Sequence, residues 1–269
     1  MSDENRTRHL RAAKMRGRPF IRTASLRLFG AGVLAWGCAL PQPVKLSSPP
    51  VAVLQSAASP SESELEKVLS RMDATATSFR SAEANFDWDQ HNSIVDQSDK
   101  ESGKIYFRRL GAGIQMAADF TSSDGRPMAK YVLFTDGKVQ IYQPDIKDEV
   151  DEYNTGNNRD AVESFLVLGF GGSGHAMLKS FDVSYLGPDP NVAGAVKLNL
   201  VPKAEKVRGV FDHVILWIDP ARGVSVQQQL FQKDGDYRLA KYSDIRLNAK
   251  IADSVFKLKT NGRTQVVSH

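Results

Sequence analysis

The chain has 269 residues, 41% of them apolar and 25% charged, which is the composition of a globular protein and excludes a disordered one. Its formal net charge of +4 is unevenly spread: residues 1–27 hold Arg6, Arg8, Arg11, Lys14, Arg16, Arg18, Arg22 and Arg27 against Asp3 and Glu4, about +6 in all. The remainder is therefore about −2, and without clustered lysine and arginine to displace counterions no nucleic-acid partner is expected.

The basic stretch leads into a short apolar run, Leu28 to Leu40, and then to Pro41 and Pro43. That order reads as a secretory signal, so the protein is expected in the periplasm, with Met15 as an alternative start. The run falls short of the roughly 20 residues that a membrane-spanning helix needs. Cys38 is the single cysteine, so an intramolecular disulfide is impossible. Gly37-Cys38 fits the end of a lipoprotein signal, whereas Ala35 and Trp36 do not. Lipidation of Cys38, cleavage by ordinary signal peptidase and retention of the segment as an anchor all stay open. Residues 1–40 are thus an export signal or N-terminal anchor, residues 41–60 a linker rich in Pro, Ser and Ala, and residues 61–269 the folded domain.

Ser61 to Glu64 reads as a capping box, followed by a helix whose apolar stripe is Leu65, Val68, Leu69, Met72, Ala76 and Phe79. The period then switches to two. Ala82, Ala84, Phe86 and Trp88 alternate with Glu83, Asn85, Asp87 and Asp89. Similar strands are predicted at 104–110, 113–120, 128–134, 139–143, 182–186, 196–201, 211–218, 224–231 and 237–247. Turns at Asp124-Gly125, Asp136-Gly137, Pro220–Gly223 and Asp234-Gly235 separate several of them. Residues 157–181 interrupt this meander with two short helices around a glycine-rich joint. The expected fold class is α+β, a strongly curved antiparallel sheet whose apolar concave face is covered by helices.

Three segments carry a family resemblance: Gly103-Lys104-Ile105-Tyr106-Phe107-Arg108-Arg109, then Phe134 to Pro144 with its Asp136-Gly137-Lys138 turn and Tyr142-Gln143-Pro144 end, then Leu247 to Leu258 with Asn248, Ile251 and Phe256. In order and spacing these resemble the LolA and LolB type of periplasmic outer-membrane lipoprotein carrier across roughly residues 62–267. The resemblance implies an open, unclosed β-barrel with an apolar cavity and a helical lid. Leu110 in place of a proline after the basic residue, and Lys259 to Gly262 in place of a proline-containing end, depart from that pattern and bear on the cargo.

Phe86, Trp88, Ile105, Phe107, Ile114, Met116, Leu133, Ile141, Leu198, Ile215 and Trp217 are the candidate lipid-binding side chains, and Leu65, Leu69, Met72, Phe165, Leu168 and Met177 the candidate lid. From the residues alone, a cavity and a helix-covered core are equally good uses for so many apolar groups; the resemblance favours a cavity. Arg109 shares strand parity with Ile105 and Phe107, so its guanidinium stands at the end of the apolar face, where lid carbonyls or lipid oxygens fit its planar fork.

Gly169 to Gly174 satisfies G-x-G-x-x-G with Asp189 about twenty residues on, yet hairpins flank it on both sides and the crossovers of a dinucleotide fold are missing; a flexible joint is the preferred reading. The five histidines share no metal-ligand spacing; Asp87, Asp89 and the acidic run from Asp145 to Glu152 offer paired carboxylates, but alternation with apolar residues places the first two on a solvated strand face. No enzyme activity, cofactor or metal is expected. The function implied is a monomeric carrier that takes lipoprotein acyl chains or lipid to the outer membrane, with inner- and outer-membrane transport partners. The alternative is an envelope sensor of the same fold that detects lipoproteins and regulates a membrane partner, and a lipid-modifying enzyme ranks third.

Overall fold

The computed structural model describes residues 59–111, 113–156 and 159–269. Cys38, the expected signal and nearly all of the expected linker lie outside the described residues. No helix among the described residues is long and apolar enough to cross a membrane.

Helix α1 spans Pro60–Ser78. Its capping box is Ser59 with Glu62: the Glu62 N–H donates to Ser59 Oγ at 3.3 Å, and the Ser59 N–H donates to Glu62 Oε2 at 2.6 Å. The cap therefore lies two residues before the expected Ser61. Pro60 takes the first helical position, where a missing N–H costs nothing and the fixed φ already suits the helix.

Strands β1 (Ser81–Asn92), β2 (Gln97–Leu110), β3 (Gly113–Ser123), β4 (Arg126–Thr135), β5 (Lys138–Tyr142) and β6 (Glu149–Asn154) form one meander. Helices α2 (Arg159–Leu166) and α3 (Gly174–Ser180) follow. Then come β7 (Phe181–Pro188), β8 (Val196–Pro202), the short α4 (Glu205–Arg208), β9 (His213–Asp219), β10 (Val224–Phe231) and β11 (Tyr237–Leu247). A 3₁₀ turn at Asp253–Phe256 leads to β12 (Gln265–Ser268). The order in the sheet is β12-β6-β5-β4-β3-β2-β1-β11-β10-β9-β8-β7. All neighbours are antiparallel except β12, which runs parallel to β6, and the edge strands β12 and β7 do not meet. The sheet is therefore unclosed.

Every predicted strand is present. β2 begins at Gln97 and not near Lys104 because it pairs with β1 out to Asn92↔Gln97. β6 and β12 were not anticipated. The acidic run that overlaps β6 serves as an anchor: Asp148 accepts hydrogen bonds from Tyr142, Asn261 and Thr264 at 2.7–3.1 Å, which draws the segment before β12 onto the edge.

The apolar residues form three clusters. Helices α1 and α3 pack on the arm made by β7 to β10, burying Leu69, Met72, Leu198, Leu200, Leu216 and Ile218. The arm made by β1 to β5, with β11, buries Phe86, Phe107, Phe120, Phe134 and Phe170 beneath α2 and the glycine-rich joint. A small third cluster of Ala117, Leu133 and Phe256 lies on the opposite face, under the 3₁₀ turn.

Candidate functional site

A cavity of about 340 Å³ lies between α2 and the inner face of the sheet. Phe86 and Trp88 of β1, Ile105 and Phe107 of β2, Met116, Ala118 and Phe120 of β3, Lys130 and Val132 of β4, and Ile141 of β5 form one wall. Gln228 and Leu230 of β10 with Arg238, Ala240 and Tyr242 of β11 form the other; Phe165, Leu166 and Phe170 cover it. Ile141 and Leu230 belong to strands six places apart in the sheet order. Laid flat they would stand about 29 Å apart at the usual strand spacing. One cavity of this size has both in its wall only because the sheet curls.

The joint between α2 and α3 drives an aromatic ring into this space. Phe170 is 1% exposed, stacks on Phe107 at 5.1 Å and meets Tyr242 edge-on at 4.7 Å. Leu168 O accepts a bond from Gln228 Nε2 at 2.5 Å, and Gln228 Oε1 accepts a longer one from the Tyr242 hydroxyl at 3.4 Å. Burial pushes the Tyr242 phenol far above its usual range, so it stays a neutral donor.

The predicted binding residues divide. Phe86, Trp88, Ile105, Phe107, Met116 and Ile141 line the cavity, and of the predicted lid so does Phe165. Leu133 faces the opposite side of the sheet beside Phe256. Ile215 and Trp217 alternate with Val214, Leu216 and Ile218, which take the inner face; Trp217 Nε1 donates instead to Asp189 Oδ2 at 2.7 Å. Leu198 is fully packed core. Leu65, Leu69, Met72, Leu168 and Met177, from the expected lid, belong to the cluster that packs α1 and α3 on the other arm and do not line this cavity.

Arg109 and Ile114 line a separate, wider and more polar cleft with Asp73, Glu163 and Ser173. Arg109 Nη2 donates to Gly171 O at 3.2 Å, and its guanidinium carbon lies 5.8 Å from the Phe79 ring centroid. Arg109 thus pairs with a backbone carbonyl of the glycine-rich joint. It falls on the outside of the joint, away from the apolar cavity.

Ala118, Phe120, Lys130, Val132, Leu166, Phe170, Arg238, Ala240 and Tyr242 line the cavity without having been among the expected binding residues. Strand parity would have found most of them: Phe120 shares the parity of Met116, and Ala240 and Tyr242 alternate with the charged Lys241. Phe170 has no periodic signal, since it sits among glycines.

No family model matches this sequence, and no curated protein does. The chain is similar to the solved structure of MucB at 15% identity and a TM-score of 0.45, over 73% of this chain and 63% of that one, and so spans less than two thirds of MucB. It is similar to a DUF1329 family protein from Desulfovibrio piger at 13% identity and a TM-score of 0.43, over 74% of this chain and 98% of that one. A LolA superfamily protein from Nitrosomonas europaea is 10% identical with a TM-score of 0.37, over 72% and 97% of the two chains.

The remaining polar cluster near the helices is structural. Ser173 Oγ donates to Asp73 Oδ1 at 2.5 Å and accepts the Ala176 N–H as the cap of α3. His175 Nδ1 bonds Asp73, and its Nε2 lies 3.1 Å from Glu66 Oε2. The Ser173 hydroxyl thus serves a carboxylate and not an imidazole, which is no arrangement for a nucleophile. The bond to Asp73 and then that to Glu66 hold the His175 pKa above its ordinary 6.5. Burial raises the Asp73 carboxyl, but bonds from Ser173 and His175 outweigh it and hold it low. A raised histidine contributes stability in full below its unfolded value and loses it as pH rises through the folded value. The wild-type melting temperature should therefore fall as pH rises above the ordinary histidine value of 6.5, by a component that His175→Gln removes. Equal slopes in the two proteins would show that this clamp between α1 and α3 adds nothing.

Proposed function

We propose that the domain is a non-enzymatic binding protein that houses acyl chains, of lipid or of a lipidated protein, in the cavity under α2 and carries them through the periplasm toward the outer membrane. The observation that supports this is the cavity itself, a largely apolar space walled by both arms of a curled sheet. Its volume is at the small end of the roughly 300–1,000 Å³ typical of ligand pockets. A larger cargo requires α2 to lift, breaking the stack of Phe165 on Phe211, whose rings are 5.1 Å apart and 5° from parallel. The basic and apolar leader in the sequence supports the compartment.

The test is a filling substitution. Ala118 lines the cavity from β3 and is 5% exposed. Ala118→Leu adds a side chain on the cavity wall, so stability should fall by no more than about 1–3 kcal/mol, the cost of overpacking. Binding of a neutral, environment-sensitive apolar dye, at one per wild-type chain, should weaken about tenfold or more. Dye binding that never saturates in the wild type would remove the carrier reading. Native mass spectrometry of the protein from its envelope extract adds a second readout: a stoichiometric protein partner in place of lipid would move the reading to the envelope sensor.

A further inference from the structure

Two cations stand in the wall of an otherwise apolar cavity. Arg238 on β11 and Lys130 on β4 occupy inward parity, where their strand neighbours are Ala240 with Tyr242 and Val132 with Phe134. Both lie toward the β1–β2 hairpin, the end remote from Phe170: Arg238 is in register with Gln90, and Glu101 with Trp88. Solvent reaches this end, since the side chains of Lys130 and Glu101 are 17% and 23% exposed.

The two are unevenly satisfied. Lys130 Nζ pairs with Glu101 and lies 3.9 Å from the Phe120 ring centroid. Arg238 lies over Trp88, its guanidinium carbon 4.9 Å from the ring centroid, and Nη2 reaches Gln90 Oε1 at 3.3 Å. Its Nε is buried without a hydrogen-bond partner. Desolvation lowers the Arg238 pKa and the charge of Glu101 partly restores it, yet a guanidinium stays protonated in proteins. Two positive charges thus share one carboxylate at the rim of an apolar space. A buried guanidinium N–H with no acceptor is a cost that a bound oxyanion would remove.

We propose that this end of the cavity is an oxyanion subsite, in which Arg238, assisted by Lys130, takes the carboxylate or phosphate of a single-chain anionic amphiphile whose hydrocarbon fills the space toward Phe170. The proposal rests on the reading of the cavity as an acyl site, and it narrows the ligand to a charged head on one chain. Arg238 supplies planar N–H donors to the anion, Lys130 a second charge, and the Trp88 and Phe120 rings hold both cations in place by their faces.

The experiment measures displacement of the neutral dye from the full chain by tetradecanol, tetradecanoate and tetradecyl phosphate. The wild type should bind the two anions about tenfold more tightly than the alcohol, with the preference shrinking at high salt. Arg238→Gln should abolish most of that preference and Lys130→Gln part of it, read within each variant as the ratio of anion to tetradecanol affinity. Either ranking of the two anions supports the subsite, and the ranking separates a fatty acid from a phospholipid-type head. Equal affinity for acid, phosphate and alcohol would overturn the subsite and leave the acyl cavity standing. Displacement by none of the three would overturn both. An anion preference that survives in both variants would place the head elsewhere. Should Arg238→Gln fail to fold, the wild-type comparison and Lys130→Gln still decide.

Discussion

Gly171→Ala is expected to destabilise the protein by about 2–4 kcal/mol, because it combines a left-handed backbone with an overfilled core. Gly171 has φ of +80°, where a side chain costs about 1–2 kcal/mol. A β-carbon there would come within 2.3 Å of Phe79 Cγ and 2.5–2.6 Å of both Cδ atoms. The ring cannot step aside, since Phe79 is buried in the same cluster as Phe107 and Phe170. Gly111 provides the control. It also has positive φ, but nothing lies within 4 Å of its added carbon, so Gly111→Ala should show the backbone cost alone. Urea unfolding of both variants with an unchanged m-value measures the difference. A Gly171→Ala loss no greater than that of Gly111→Ala would mean that the joint relaxes and does not press on Phe79. This also accounts for the glycine pattern that resembles a dinucleotide fingerprint: Gly169 abuts Ser225, Gly171 the Phe79 ring and Gly174 the backbone of Leu69. The glycines allow close protein contact, and Asp189 is bound to Trp217.

The architecture was legible because a half-buried sheet imposes a period of two on the chain, and strands from Ala82 to Leu247 obey it. The inner face was harder to read wherever both parities are apolar. Val214 to Ile218 is a continuous apolar run, and nothing in it says that Leu216 turns inward and Trp217 outward; that choice is made by Asp189, twenty-eight residues away. Leu133 and Phe134 pose the same ambiguity, settled by the 3₁₀ turn that covers Leu133 from behind. The helices show a different limit. Their apolar stripes mark which side is buried but not which arm of the sheet receives it, so α1 was expected over the cavity and instead packs with α3 on β7 to β10. Lys130 and Arg238 carried a visible signal, charge at positions of apolar parity, that becomes meaningful only once both strands are known to face one cavity.

Phe170→Ala is expected to cost about 3–5 kcal/mol while improving the fit of longer chains. Phe170 separates the packed centre of the molecule from the cavity: one face rests on Phe107, the edge of Tyr242 abuts it, and it also lines the apolar space. Truncation removes those contacts and leaves a void continuous with the cavity, which a ligand can occupy. Ligand binding to the native state raises stability by RT ln(1 + [L]/Kd), about 2.7 kcal/mol at a hundredfold excess over Kd. Part of the loss should therefore return on adding a chain long enough to reach the void, and little on adding a short one. The measurement is the urea midpoint of wild type and Phe170→Ala with tetradecanol and with octadecanol, each at the same free concentration. In the wild type the Phe170 ring ends the cavity, so lengthening the chain should add little affinity; in the variant the longer alcohol should stabilise markedly more than the shorter. A variant that is destabilised yet keeps the wild-type preference for chain length would show that Phe170 is core alone, and that the hydrocarbon does not extend toward the glycine-rich joint.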